Sequence, residues 1–275
     1  MKTLKFLTLA LFLFAFSRVQ PVFAETLKIP GTGACEDLLQ ALAEAFNQQH
    51  PDYSVTIPPS IGSGGGIREV IENKTIFARV SRPLKDEETD YGLSYLAFAK
   101  DAVVFAVGED VKIQGLASSQ IADIFEGKID NWQQAGGADA FIRVLIREPD
   151  DSSLNVIKHH INQFQTLKFT EKSKMLFHDC EMRDMLNKYK TSIGWLPLSS
   201  ITVGKGSSIK PLAIDGIAPT AENMLNSRYK LATTYALVYK ANMLNKLTRE
   251  FIDFLFSEPG RQILVRNGVI PLNRK

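Results

Sequence analysis

Ser60-Ile61-Gly62-Ser63-Gly64-Gly65-Gly66-Ile67-Arg68-Glu69-Val70-Ile71 sets four glycines and two serines ahead of an apolar pattern with helical spacing. Glycine admits positive φ and lets a ligand approach the main chain. The first amides of a helix lack partners inside it, and the helix dipole favours negative charge there. Such a loop suits an oxyanion or carboxylate. Taken alone, it reads first as a flexible turn, and it is no Walker loop, because no Gly-Lys-Ser/Thr follows. Upstream, Tyr53 to Ile57 alternates like a strand. Before that, Leu27-Lys28-Ile29 reads as a strand closed by Pro30. Gly31-Thr32-Gly33-Ala34 makes a second tight turn, and a helix runs to about Gln49 with Leu38, Leu39, Leu42, Ala45 and Phe46 on one face. Strand, glycine turn and helix, twice over, is the rhythm of an α/β sheet. In such sheets ligands gather where strands end and helices begin, and both glycine turns occupy that place.

Downstream, Ile76 to Val80 predicts a third strand, ending in Ser81-Arg82-Pro83-Leu84. Asp101 to Val107 is an apolar run of strand length, suited to a buried or domain-crossing strand. Ser118 or Ser119 can cap a helix that buries Ile121, Ile124 and Phe125 and stops at Gly127. Ile142 to Ile146 is another strand, running into Arg147-Glu148-Pro149-Asp150-Asp151-Ser152-Ser153, with a helix from about Leu154. An arginine at a strand end, with hydroxyls at the next helix start, again describes an anion site or an ordinary Asp/Ser cap. Residues 154–190 read as helical, with Met175, Leu176, Met182, Met185 and Leu186 as packing residues. Ser192–Leu198 and Ala232–Tyr239 read as strands, Gly204–Lys210 as an exposed basic turn, and Leu244–Phe256 and Pro259–Arg266 as closing helices.

The N-terminus reads as a secretory signal peptide, residues 1–24: Lys2 and Lys5, an apolar run from Phe6 to Phe16, then Val22-Phe23-Ala24 before the cut. That run is shorter than the ~20 apolar residues needed to span a bilayer. Removing it takes Lys2, Lys5 and Arg18, so 32 basic residues become 29 against an unchanged 30 acidic ones, net −1. Charge therefore gives no support to nucleic-acid binding. The mature chain is long enough for one large or two modest domains. Cys35 and Cys180 are the only cysteines, and neither has a partner at zinc-site spacing among the four scattered histidines, so no metal or cofactor is expected. His159 and His160 read as surface residues.

Ser119-Gln120-Ile121-Ala122-Asp123-Ile124-Phe125-Glu126-Gly127-Lys128-Ile129-Asp130-Asn131-Trp132 resembles a signature of the periplasmic phosphate-binding proteins of ABC importers, within the type II solute-binding group. The Ile61–Ile67 loop, Ser81-Arg82-Pro83-Leu84, Arg147-Glu148-Pro149, Ser192-Ile193-Gly194-Trp195 and Gly268-Val269-Ile270-Pro271-Leu272 follow the family in order over nearly the whole mature chain. The resemblance implies a two-lobed α/β fold joined by two crossover strands, with lobe 1 at 25–104 plus 231–275 and lobe 2 at 105–230. It implies a non-enzymatic, monomeric, periplasmic receptor that takes a small oxyanion, expected to be phosphate, to an ABC permease of the inner membrane. Carried over by position, the ligand set is Thr32, Gly33, Ala34, Ser63, Gly64, Ser81, Arg82, Arg147, Asp151, Ser152 and Ser153, with Arg147 as a bidentate donor.

The departures concern chemistry. The family's Ser-Gly-Thr is Asp151-Ser152-Ser153 here, preceded by Asp150, and Glu36-Asp37 follow the first turn. These acids read three ways: solvent-facing helix caps, an acceptor for the proton of hydrogen phosphate, or a mark of a different ligand. A periplasmic sensor or interaction module on the same fold is the alternative function. A hydrolase is disfavoured, since no Gly-x-Ser-x-Gly elbow occurs. A Cys35–Cys180 bond would tie the lobes shut, so two free thiols are expected.

Overall fold

The protein is seen in a computed structural model that describes residues 24–203 and 207–274. The signal segment, apart from Ala24, and residues 204–206 of the expected basic turn lie outside the described residues. In chain order the elements begin with β1 (Glu25–Lys28), α1 (Glu36–Gln49), β2 (Tyr53–Thr56), α2 (Gly62–Ile71), β3 (Phe77–Val80), α3 (Asp86–Thr89) and β4 (Leu93–Val107). There follow β5 (Gly115–Leu116), α4 (Ser118–Glu126), β6 (Arg143–Arg147), α5 (Ser152–His160), α6 (Gln163–Thr166), β7 (Lys174–Leu176) and α7 (Asp179–Lys188). The chain continues through β8 (Ser192–Pro197), α8 (Leu198–Thr202), β9 (Lys210–Pro211), β10 (Ala213–Ile214) and α9 (Ala221–Leu225). It closes with β11 (Ala232–Lys240), α10 (Lys246–Phe256), α11 (Glu258–Arg266) and β12 (Ile270–Pro271).

The main sheet runs β3-β11-β4-β8-β6-β7. The apolar run at 101–107 is the end of the 15-residue β4, which pairs antiparallel with β11 over residues 93–102 and with β8 over 103–107. One strand thus belongs to both halves of the molecule. The buried apolar side chains divide accordingly. One cluster draws on residues 102–232 and Ile270, around Phe105, Phe125, Phe164 and Trp195. A second draws on 27–99 and 235–269, around Phe46, Phe77 and Phe251, and a third, smaller one joins Ile67 and Val70 of α2 to Val80 and Val238 of β3 and β11. The amphipathic helices α1, α4 and α10 bury their apolar faces in these clusters, as their spacing predicts.

The first glycine turn is set by close approach. Gly31 has φ +142°, and a Cβ there would overlap the carbonyl oxygen of Arg79. A Cβ on Gly66 would lie 2.8 Å from Gly31 Cα. The two glycine segments therefore interlock. Beneath them Arg79 of β3 has no exposed surface. Its Nε donates to Thr32 O at 2.7 Å and its Nη2 to Pro58 O at 2.8 Å and Glu36 at 3.0 Å, while its Nη1 donates to Ile29 O. Nothing in the alternation of Ile76–Val80 distinguishes this arginine from a surface one.

Three local expectations are corrected. The glycine stretch is no loop ahead of a helix: α2 begins at Gly62, because packing against the first turn outweighs the low helix propensity of glycine. Residues 154–190 are not continuously helical. Thr170 turns the chain, and β7 pairs parallel with β6 as an exposed-edge strand too short for a period-2 signal. Helix α4 starts at Ser118 with Ala117 as its cap residue, where Gln120 Oε1 accepts the Ala117 amide at 3.0 Å in place of a serine cap. No helix among the described residues is long and apolar enough to cross a membrane.

Arg79→Ala would strand three backbone acceptors and Glu36. A loss of about 3–5 kcal/mol in unfolding free energy by denaturant titration is expected; a loss below about 1 kcal/mol would show that water replaces the guanidinium.

Candidate functional site

Three helix starts meet at one cleft of about 410 Å³. The Thr32–Ala34 turn leads into α1, Ser60–Gly65 opens α2, and Asp150–Ser152 opens α5. The leading amides of a helix have no intrahelical acceptor, so each start offers donors and the positive end of a dipole. Because β1 and β2 pair in parallel, α1 and α2 start beyond the same end of that pair, and α5 starts beyond the end of β6.

On the first wall, Thr32 and Ser63 are both buried and line the cleft. Ser81 sits behind them rather than in the lining: its Oγ is 2.8 Å from Thr32 Oγ1, and its amide donates to Ser63 Oγ at 3.3 Å. The Ala34 amide donates to Thr32 Oγ1 at 3.3 Å. Arg82 lines the cleft beside Gly64, held by a two-pronged pair with Glu88 at 2.7 and 2.7 Å. That pairing, above all its hydrogen bonds, holds the Glu88 carboxyl below its usual range. Lys85, which the sequence reading did not single out, is exposed at the same rim.

On the second wall, Arg147 lines the cleft but is 4% exposed, and four of its five N–H donors are taken within the protein. Nε and Nη2 reach Glu148 at 3.1 and 3.3 Å, Nη2 reaches Phe177 O at 3.0 Å, and Nη1 pairs with Asp179. The bidentate fork expected to face a ligand is here turned onto the protein's own carboxylates, since a buried guanidinium requires counter-charge. Burial pulls its pKa down, but Asp179, Asp151 and Glu148 together push it up, and it stays charged. Burial pushes the Asp179 carboxyl up, against the pull of Arg147 and with the help of Asp151 and Glu148. Glu148 was visible beside Arg147 in sequence. Asp179 lies 32 residues away, and no spacing rule joins them.

Asp151 caps α5 but does not face solvent, and Asp150 faces solvent one residue ahead of the cap. Asp151 is 6% exposed; its Oδ1 accepts the Leu154 amide at 2.8 Å and Trp195 Nε1 at 3.0 Å. It caps α5 from inside. Asp150 is exposed at the rim, Ser152 is half-buried in the lining, and Ser153 is buried behind it with an unpartnered Oγ. Cys35 is buried, Cys180 is exposed, and both are free. Both histidines 159 and 160 are exposed. Among the described residues no histidine lines this cleft and no metal-ligating cluster occurs.

A family model described as a PBP superfamily domain matches residues 21–259. The chain is 28% identical over 258 residues to the phosphate-binding protein PstS of Bacillus subtilis, covering 90% of this chain and 81% of the relative. It is 26% identical over 251 residues to the protein of the same name from Borreliella burgdorferi, covering 89% of each. Among solved structures it resembles one from Clostridium perfringens, described as a phosphate ABC transporter substrate-binding protein with bound phosphate. That match has a TM-score of 0.79 and 30% identity, and covers 90% of this chain and all of the other.

The two aspartates separate cap from rim. Asp151→Ala should cost about 2–4 kcal/mol by chemical denaturation, through the lost cap and a stranded indole N–H. Asp150→Ala should stay within about 0.5 kcal/mol. Equal effects would contradict the assignment.

Proposed function

The chain belongs to the PBP superfamily, and from that membership we propose that it is an exported solute-binding protein that captures phosphate and delivers it to an ABC permease. The observation that carries this reading is the convergence of three helix starts on one cleft in a fold shared with a phosphate-bound relative. The names of the curated relatives support the same ligand. It is a receptor rather than an enzyme. The signal-like N-terminus supports export, the periplasm being the compartment, with a monomer as the working form.

The lobes are taken as 25–104 with 231–275, and 105–230. The change of apolar cluster between Ala99 and Ala102, and again between Ala232 and Tyr235, supports that division. On the first lobe the ligand would meet the Thr32 and Ser63 hydroxyls, amides of Gly33, Ala34 and Gly64, and the Arg82 charge, with Ser81 orienting the hydroxyls. Closure would bring up the amides and hydroxyls of Ser152 and Ser153, with Arg147 behind them and Asp151 holding the helix start. Since Glu148 and Asp179 neutralise Arg147, most of the binding energy would come from oriented dipoles rather than net positive charge.

Calorimetric titration with inorganic phosphate, sulfate and acetate tests this. Phosphate should bind most tightly, Ser63→Ala should weaken it about three- to tenfold, and Arg147→Ala at least about tenfold, because Glu148 and Asp179 would be left without their counter-charge beside the anion. Unchanged affinity in Arg147→Ala would remove that residue from the set, and saturation by acetate without phosphate binding would overturn the ligand.

A further inference from the structure

Strand β4 passes from one apolar cluster to the other at Asp101, which is fully buried there. Its Oδ2 accepts the Ser199 amide at 3.2 Å, in the first turn of α8, and lies 2.9 Å from Tyr235 Oη. Tyr235 Oη in turn lies 2.7 Å from the carbonyl oxygen of Ala34, in the first cleft turn. The proton count of this chain is decisive. A carbonyl oxygen can only accept, and a phenol has one proton. With Asp101 ionised, that single proton would have to serve both Ala34 O and Asp101 Oδ2, leaving one close oxygen pair without a hydrogen. With a proton on Asp101 Oδ2, every contact is satisfied. Asp101 donates to Tyr235, Tyr235 donates to Ala34, and the Ser199 amide still finds a lone pair on Oδ2.

Two further observations agree. Asp101 Oδ1 is buried with no hydrogen-bond partner, which a neutral carbonyl tolerates far better than half of a carboxylate charge. Among the described residues no cation is free to balance an ionised Asp101: Arg183 of α7, which reaches Ser200 O beside Ser199, is paired with Asp37. The charged and titratable groups around the chain are Cys35 and Glu36 at the start of α1, Arg79 of β3, Asp179 of α7 and Tyr235 itself. Arg79 is committed to Glu36 and three carbonyls, and Asp179 to Arg147. Burial keeps the Cys35 thiol neutral, pushed up to about 12.

We propose that Asp101, in its neutral carboxylic acid form, positions the Ala34 turn of the cleft through Tyr235. It is a positioning residue, joining the start of α8, the strand that crosses between the two clusters, and the first wall. Loss of its proton redirects the phenol to Asp101 and leaves Ala34 O without that donor, so the turn relaxes and anion affinity falls as pH rises. Only the affinity consequence rests on the phosphate reading above.

The test has two arms. In the ligand-free full chain, burial places the Asp101 titration near pH 6, far above an ordinary aspartate. Carbon-13 signals of labelled aspartate, assigned by their loss in Asp101→Asn, should therefore show a protonated carboxyl at about pH 5 that ionises on approach to about pH 7. The amide signals of Gly33 and Ala34 should titrate with the same midpoint in the wild type and lose that step in Tyr235→Phe. An Asp101 already ionised at about pH 5, or turn amides indifferent to its titration, would overturn the proposal whether or not phosphate binds. In the second arm, inorganic phosphate affinity of Tyr235→Phe should fall about three- to tenfold below wild type at low pH, with the gap closing as pH rises. Comparing the two proteins at each pH cancels the titration of phosphate itself. A gap constant with pH would overturn the link to affinity, and no phosphate binding by the wild type would sink the phosphate reading alone.

Discussion

A guanidinium with no exposed surface holds the first wall of the cleft together. A buried, unpaired charge costs several kcal/mol, so Arg79 exists only because Ile29, Thr32, Pro58 and Glu36 all turn an acceptor towards it. Those four residues belong to the end of the first strand region, the first turn, the approach to the second glycine stretch and the start of α1. Satisfying one side chain therefore fixes the spatial relation of three segments far apart in sequence. Gly31 lets the turn lie directly on the Arg79 backbone, and Gly66 lets α2 lie directly on Gly31.

The second wall uses the same device with a different counter-charge. Arg147 is buried among Glu148, Asp151 and Asp179 and ties the end of β6 to the chain entering α7. In both walls the arginine braces the backbone and leaves the helix starts to face the cleft. Amides and hydroxyls fixed in this way need little reorganisation on meeting an anion. Asp151 fits that scheme: by capping α5 from inside and receiving the Trp195 indole, it fixes the direction in which the Ser152 and Ser153 amides point.

Much of this was legible in the sequence. The strand, turn and helix rhythm of residues 27–71, the apolar run at 101–107 and the helix ending at Gly127 all rest on strong local patterns, and each is present. Thr32, Ser63, Arg82 and Ser152, singled out by motif position, line the cleft. What stayed hidden was the pairing. Arg79 sits in a strand that reads like any other, and Asp179 meets Arg147 only because β7 and α7 fold back beside β6. Asp101 looks like the polar start of an apolar run. Period and propensity describe a residue's own element, whereas buried ion pairs are decided by what lies across the fold. The missed strand β7 is the same failure in another form: three residues at an exposed edge carry no periodicity of their own.

The central claim is that one oxyanion is held jointly by helix starts from both walls. The most direct measurement is an amide correlation spectrum of the full chain during titration with inorganic phosphate at constant pH and ionic strength. The account predicts that amides at residues 33–34, 63–65 and 152–153 move along a single saturation curve, with no comparable change on adding chloride. Shifts confined to one wall, or equal shifts with chloride, would contradict it.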